Sequence, residues 1–219
     1  MYKYVIFDLD GTLLNTLDDL ANAGNYTLTQ MGYPTHDIDK YRYFVGNGIP
    51  KLVERFLPSD ATDEIKKTGF EIMCSYYEKH MNDNTKPYDS VIEMLETLKE
   101  NGIRTAVVTN KAATFANEIV TNYFGNLIEK VYGSIEGFPK KPDPYWVEKA
   151  IFEFGADKSD VLYVGDSGVD MLTAARAGIV SVGVLWGFRD KEELIENGAV
   201  HICGYCSEIL NLVLEIGKM

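Results

Sequence analysis

The sequence predicts an α/β protein: a doubly wound parallel sheet interrupted by an inserted all-helical cap. Three observations carry this. Residues 4–9 form a short apolar run broken only by Asp8, as expected of a central parallel strand covered on both faces. From residue 91 onward, strand-like and helix-like segments alternate. Between the first strand and that alternation, residues 15–83 hold helical patterns only.

Taken in order, the insert reads as helices near 17–31, 37–44, 49–56 and 62–80. Its crossings fall near 14–16 and 82–87, where Asn82-Asp83-Asn84 and Pro87 supply linker chemistry. Residues 1–14 and 84–219 therefore form the sheet domain and 15–83 the cap. In the sheet domain, Val91, Met94, Leu95 and Leu98 recur at helical spacing and Asn101-Gly102 stops that helix. Strands follow at 105–109, 131–135, 161–164 and 180–185, with helices at 112–123, 145–154 and 171–177, the latter two ending at Gly155 and Gly178. A last strand at 200–202 and a helix at 207–216 close the chain. No internal repeat or low-complexity tract interrupts this order.

Composition narrows the function classes. With 46% hydrophobic residues the chain is globular, and 21 basic against 33 acidic side chains leave a net charge of −12. A nucleic-acid binder needs a basic face to neutralise phosphates, so no nucleic-acid partner is expected. No run of apolar residues approaches a membrane span, and the N-terminus lacks the layout of a signal peptide. Three cysteines do not make a disulfide framework. The expectation is a cytoplasmic protein, monomeric or homodimeric, with no membrane partner.

In an open α/β sheet, ligands sit beyond the carboxyl ends of the strands. The residues there are Asp8-Leu9-Asp10-Gly11-Thr12, Thr109-Asn110, Lys141 and Gly165-Asp166-Ser167-Gly168-Val169-Asp170. A lone strand-end Asp is ordinarily a cap or turn former, and a lone Lys a solvated charge. Convergence changes that reading. Two carboxylates ~4 Å apart repel by roughly 4 kcal/mol at an effective dielectric of ~20. Gathering Asp8, Asp10 and Asp166 therefore calls for a cation or a shared proton, and oxygen-only ligands point to Mg²⁺. The spacing of Asp8 and Asp10 leaves both on one side of the departing chain.

These residues resemble the haloacid dehalogenase superfamily of phosphotransferases, over nearly the whole chain. Its signatures stand in order as Asp8–Thr12, Thr109, Lys141 and Gly165–Asp170. The helical insert, Val45-Gly46-Asn47-Gly48, Thr109-Asn110-Lys111, Lys141-Pro142-Asp143-Pro144 and Ala174-Ala175-Arg176-Ala177-Gly178 are similar to phosphoglycolate phosphatases and their neighbours. Two departures touch turns: Asp89-Ser90 stands where relatives often have Pro-Gly, and Asn15 where Asp is common.

The resemblance implies a Mg²⁺-dependent phosphatase acting on a small phosphorylated metabolite, with phosphoglycolate the leading candidate. It implies Asp8 as nucleophile and Asp10 as general acid and base. Thr109 and the Asn110 backbone would hold phosphoryl oxygens, and Lys141 would offset charge. Asp8, Asp166 and the Asp10 carbonyl would ligate the metal, with Asp170 acting through its neighbours. Gly46, Asn47 and Gly48 would contact substrate. The second Asp sets the chain apart from dehalogenases, which need no proton on a leaving alkoxide. A β-phosphoglucomutase-like mutase and an inorganic pyrophosphatase remain alternatives within the superfamily. Outside it, a receiver-like phospho-Asp module is the rival, but such modules carry their Asp after a middle strand.

Other features are expected to be structural. Cys203-Gly-Tyr-Cys206 has redox spacing in a strand-to-helix context, but too little chain follows it for a thioredoxin-like domain, and with His201 it offers no fourth zinc ligand. Gly46-Asn47-Gly48 lacks the third glycine and preceding strand of a nucleotide fingerprint. Arg42, Lys51 and Arg55 are candidate cations for a substrate carboxylate, and His36 and His80 read as surface residues. The Gly187-Phe188-Arg189 turn is expected near the site.

Overall fold

The computed structural model describes residues 2–215. In chain order it contains β1 (Tyr4–Phe7), β2 (Leu14–Asn15), α1 (Leu17–Gln30), α2 (Ile38–Phe44), α3 (Ile49–Phe56), α4 (Asp63–His80) and β3 (Lys86–Pro87). There follow α5 (Val91–Glu100), β4 (Arg104–Ala112), α6 (Ala113–Phe124), β5 (Lys130–Ser134), α7 (Tyr145–Phe154), β6 (Val161–Gly165) and α8 (Gly168–Ala177). The chain continues through β7 (Val180–Val184), α9 (Lys191–Glu196), β8 (His201–Cys203) and α10 (Cys206–Leu214). The expected end of the last helix at Ile216 lies outside the described residues.

Six strands form one parallel sheet in the order β5-β4-β1-β6-β7-β8. Alternation along β1 shows how its apolar run is used. Val5 and Phe7 enter a core with Val107, Leu162 and Val164, covered by Val91, Leu95 and Leu98 of α5, Ile119 of α6 and Ile209 of α10. Ile6 points to the opposite core with Ala106, Val108 and Tyr163, covered by Trp146, Val147 and Ile151 of α7 and Ala174 of α8. Both faces are therefore dry, which is why the strand carries no polar alternation. The chain steps outward from β1 through β4 to β5 and then returns to β6 on the other side of β1. The direction of winding therefore switches at β1, and a crevice opens beyond its carboxyl end, where Asp8 and Asp10 lie.

The chain separates into two compact units, residues 2–14 with 87–215, and Asn15–Lys86. In the second unit α1 packs on α4 and α2, and α3 on α4 and α2, burying Leu20, Leu28, Tyr41, Leu52, Phe56, Met73 and Tyr77. Residues 84–86 group with the helices rather than with the sheet. Asp19 explains this: its carboxylate accepts the Asn84 and Thr85 backbone N–H groups at 2.8–3.0 Å and the Asn84 side-chain amide at 2.8 Å. Composition around Asn82–Asn84 carried a linker signal but not this long-range tie.

α9 was not expected from periodicity. It is a short helix whose start is set by Asp190, which accepts from the Glu193 N–H at 2.9 Å; Asp190-x-x-Glu193 was the available signal. His36, expected at the surface, is half-buried, with Nε2 2.8 Å from the Phe56 carbonyl and its ring edge-on to Tyr41 and Phe44. His80 pairs with Asp83 at 2.8 Å and stacks on Tyr76.

Ser90 precedes α5 at φ 61°, ψ 10°, in the left-handed region, and its side chain makes no capping hydrogen bond. A Cβ there costs energy that glycine avoids, and Ser90 gains nothing local in exchange. Ser90→Gly is expected to raise stability by about 0.5–1 kcal/mol after the unfolded-state entropy of glycine is subtracted. A urea midpoint that rises with an unchanged slope checks this; a falling midpoint refutes it.

Candidate active site

Beyond the carboxyl edge of the sheet, the structure gathers Asp8, Asp166 and Asp170, each buried, with carboxylate oxygens within 4.8 Å of one another. Each sits where its element puts it. Asp8 directly follows β1 and its N–H donates to the Val164 carbonyl at 2.8 Å, so the backbone is still held in the sheet. Asp166 follows β6. Asp170 lies in the first turn of α8, directly over the Ser167 cap.

Glycine makes the approach possible. Gly11 has φ +88°, and a Cβ on it would lie 2.3 Å from Asp166 Oδ2. Only a residue without a side chain lets the loop after β1 turn this close to the carboxylate after β6.

The partners of the carboxylates differ, and this distinguishes their roles. Asp170 is saturated: Oδ1 accepts from Lys141 Nζ at 2.7 Å and Tyr163 OH at 3.1 Å, and Oδ2 from the Ser167 hydroxyl at 2.6 Å and N–H at 3.1 Å. Asp166 accepts from the Thr12 hydroxyl at 3.2 Å and from the Phe188 N–H at 2.8 Å. The 187–189 turn thus does reach the site. Asp8 Oδ1 lies 2.8 Å from Lys141 Nζ, an ion pair without hydrogen-bond angles, so this buried oxygen has no hydrogen-bond partner.

Electrostatics follow from the burial. Burial, reinforced by the charge of Asp170, pushes the Asp8 carboxyl up to about 7 against the pull of Lys141. Burial, with Asp170 and Asp8 adding to it, pushes Asp166 up to about 8, offset in part by the Phe188 N–H. For Lys141, burial alone would favour the neutral amine, but Asp170 and Asp8 outweigh it and the ammonium is retained well above its ordinary range. Fully ionised, three acids beside one ammonium would leave an excess of negative charge in a dry place, and without a cation Asp8 and Asp166 relieve it by holding their protons. An oxygen-only donor set with an orphaned oxygen on Asp8 fits a hard divalent cation.

The other expected residues are distributed as follows. Thr109, expected at a strand end, is buried within β4, which runs on to Ala112, and its Oγ1 accepts from the Lys111 N–H at 3.3 Å. The Asn110 side chain clasps Lys141 from both sides: Oδ1 accepts the Lys141 N–H at 2.9 Å and Nδ2 donates to the Lys141 carbonyl at 3.2 Å. Its amide therefore fixes the segment carrying the lysine. The Asp10 side chain stands outside the carboxylate cluster and pairs with Lys111 at 2.9 Å. Gly46, Asn47 and Gly48 lie in the helical unit between α2 and α3. There Arg55 donates to Asn47 Oδ1 and to the Phe44 carbonyl, each at 2.7 Å. Arg55 is thus tied to that loop, and Lys51 pairs with Glu54 at 2.7 Å.

Sequence reasoning assigned no part to Tyr163, whose hydroxyl accepts from Lys141 Nζ at 3.2 Å, or to Lys111. Both stood in plain view, Tyr163 as the one polar-tipped residue of the apolar strand β6 and Lys111 after Thr109-Asn110. Cys203 and Cys206 are buried free thiols, and burial pushes them up to about 12 and about 11. Neither has the lowered pKa that thiol exchange requires.

A parallel sheet with a buried acid cluster, a retained ammonium and a cation-compatible donor set at its carboxyl edge defines a class of α/β hydrolytic enzyme handling anionic substrates. The chain belongs to the haloacid dehalogenase-like hydrolase family, whose model matches residues 5–184. It is 32% identical over 219 residues to the phosphoglycolate phosphatase of Vibrio parahaemolyticus, covering 96% of each chain. It is 36% identical over 200 residues to that of Neisseria meningitidis, covering 89% of this chain and 85% of the relative. Among solved structures, one from Lactobacillus delbrueckii subsp. bulgaricus superposes with a TM-score of 0.92 at 26% identity, over 97% of this chain and 98% of that one. A predicted phosphoglycolate phosphatase from Haemophilus somnus gives 0.89 at 28% identity, over 96% and 97%. Within the family, this chain is a phosphatase.

The raised carboxyls set a pH dependence. Asp8 and Asp166 bind protons more tightly folded than unfolded, from an ordinary value of 3.8 to about 7 and about 8. Their stabilising contribution is complete below the ordinary value and is lost as pH rises through the folded values. In EDTA, Tm is expected to fall between pH 6 and pH 8.5 more steeply for the native protein than for Asp166→Asn. Excess Mg²⁺ should raise Tm more at the higher pH, where the ligands are deprotonated. A Mg²⁺-induced shift that shrinks as pH rises contradicts the assignment.

Proposed function

We propose that the protein is a Mg²⁺-dependent phosphatase that hydrolyses a small phosphomonoester through an aspartyl-phosphate on Asp8, with phosphoglycolate the leading substrate. The observation that carries this is the state of Asp8 Oδ1: buried, without a hydrogen bond, and 2.8 Å from the Lys141 ammonium. A carboxylate oxygen kept dry and unsolvated beside a fixed cation is a nucleophile that need not shed water before attack.

In the first half-reaction an Asp8 oxygen forms a bond to phosphorus as the bond to the leaving oxygen breaks. Asp10 gives that oxygen a proton. In the second, water attacks phosphorus, Asp10 takes its proton, and the acyl–phosphate bond breaks to return Asp8 and inorganic phosphate. Lys141, fixed by Asp170, Tyr163 and the Asn110 clasp, offsets charge on Asp8 and on the phosphoryl oxygens. The hydroxyl of Thr109 and the backbone of Asn110 hold those oxygens. Asp8, Asp166 and the Asp10 carbonyl would hold Mg²⁺, with Asp170 steadying their surroundings. When bound, Mg²⁺ supplies the positive charge that relieves the acid cluster and draws in phosphate. Positioning and charge stabilisation are most of what phosphoryl transfer asks of a protein.

The relatives named above are phosphoglycolate phosphatases, which supports that substrate. For the leaving group we assign Gly46, Asn47 and Gly48 of the helical unit, whose loop Arg55 keeps in shape. Among the described residues no helix is long and apolar enough to cross a membrane, and the three cysteines are free. Both support a small metabolite in a reducing cytoplasm as the substrate's setting.

Asp8→Asn is expected to lose activity by on the order of 10³-fold or more while keeping its circular dichroism spectrum; near-native turnover would remove Asp8 as nucleophile. EDTA should silence the native enzyme and Mg²⁺ restore it. A phosphate-release screen across phosphorylated acids, sugars, nucleotides and pyrophosphate is expected to rank 2-phosphoglycolate first, and a strong preference for pyrophosphate or a hexose phosphate would displace it.

A further inference from the structure

Lys111 is a buried cation to which the chemistry above gives no task. Its side chain is 3% exposed and its Nζ donates to Asp10 Oδ1 at 2.9 Å, with Asp10 itself 13% exposed. Ordering a lysine and desolvating its ammonium costs free energy that an ion pair repays only with good geometry. The neighbouring inward positions of β4, Ala106, Val107 and Val108, are apolar, so the sheet itself does not require a charge there.

A local irregularity delivers it. β4 and β5 pair in register up to Val108 opposite Tyr132, and pairing resumes at Ala112 opposite Ser134. Between these points Thr109, Asn110 and Lys111 face Gly133 alone. Such a bulge breaks the in-and-out alternation and re-aims side chains. Gly133 permits it, because a Cβ there would lie 2.5 Å from Ala113 Cα and 3.0 Å from the Lys111 carbonyl oxygen. As a result the Asn110 amide turns to the Lys141 backbone, while Lys111 Nζ reaches Asp10.

We propose that Lys111 is a positioning residue for the acid–base carboxyl of Asp10. By occupying Oδ1 it fixes the rotation of the carboxyl group, so that Oδ2 is the oxygen that exchanges the proton. This rests on the acid–base reading of Asp10. As the phosphorus–oxygen bond breaks, its electron pair stays on the leaving oxygen, and the Oδ2 proton moves to that oxygen. Asp10 is left as a carboxylate beside the Lys111 ammonium, which keeps its own protons throughout. In the return half, Oδ2 accepts the proton of the attacking water. The benefit is greatest where the leaving oxygen is most basic, because that oxygen most needs a proton in the transition state.

The test compares phenyl phosphate with p-nitrophenyl phosphate, which share a ring and a charge but differ in the basicity of the departing phenolate. The readout is kcat/KM in excess Mg²⁺, which covers steps only up to that departure. Lys111→Met is expected to lower kcat/KM about tenfold more for phenyl than for p-nitrophenyl phosphate, and Lys111→Arg to recover part of the loss. Equal losses on both substrates, or none on either, overturn the positioning role, since a merely structural lysine would not sense the leaving group. Thermal unfolding accompanies each variant, and Lys111→Gln carries the same comparison where the Met variant does not fold. Asp10→Asn separates the two levels. If Asp10→Asn discriminates between the substrates and Lys111→Met does not, Lys111 alone loses its role. If Asp10→Asn does not discriminate either, the acid–base reading of Asp10 fails with it.

Discussion

Everything at the carboxyl edge of this sheet depends on the contact between Lys141 and the buried acids around it. Its ammonium lies 2.8 Å from Asp8 and 2.7 Å from Asp170, with all three side chains withdrawn from water. A charge pair at that depth is strongly penalised for lost hydration, so it persists only when every other polar atom is arranged to support it. The support is visible in the Tyr163 hydroxyl, the Ser167 cap and the Asn110 clasp on the lysine backbone. Asp8 Oδ1 is the member left without a hydrogen bond, and it is the oxygen to which we assign the attack on phosphorus.

That arrangement explains why so much of the fold is spent on backbone placement. β1 runs between β4 and β6, so Asp8 emerges with strand ends on both sides. β6 delivers Asp166 and, through the first turn of α8, Asp170. β4 delivers Thr109, Asn110 and, by its bulge, Lys111. The loops can approach because Gly11 and Gly133 leave room where a Cβ would collide with Asp166 and with the backbone of Ala113. The two lysines divide the acids between them, Lys141 with Asp8 and Asp170, Lys111 with Asp10. This separates the carboxyl group assigned to proton exchange from the one assigned to attack.

Features away from this edge are plain by comparison. The C-x-x-C pair is buried among apolar side chains, which disfavours the thiolate. Arg55, a candidate substrate cation from sequence, is occupied with the carbonyl of Phe44 and with Asn47. Ser90 keeps a left-handed backbone that glycine would hold at lower cost, so its effect is on stability in a turn.

The sequence by itself determined the order of most elements, the sheet class and most of the residues gathered at the candidate site. These follow from short-range physics: a short apolar run of aromatic and β-branched residues suits a strand buried on both faces, and Val91–Glu100 and Tyr145–Phe154 show their buried stripes in their spacing. The Asp8–Asp10 spacing and the position of Asp166 directly after β6 are equally local, whereas the strand end expected at Thr109 falls at Ala112. Tertiary structure decided what depends on approach between distant segments. Asn110 clasps a residue 31 positions away, Lys111 reaches one 101 positions away, and Asp19 holds Asn84 and Thr85 to the helical unit. No periodicity encodes those contacts, because a side chain's partner is set by where the sheet order and a bulge carry the backbone. The residue types were legible in one dimension; which acid each lysine serves was settled in three.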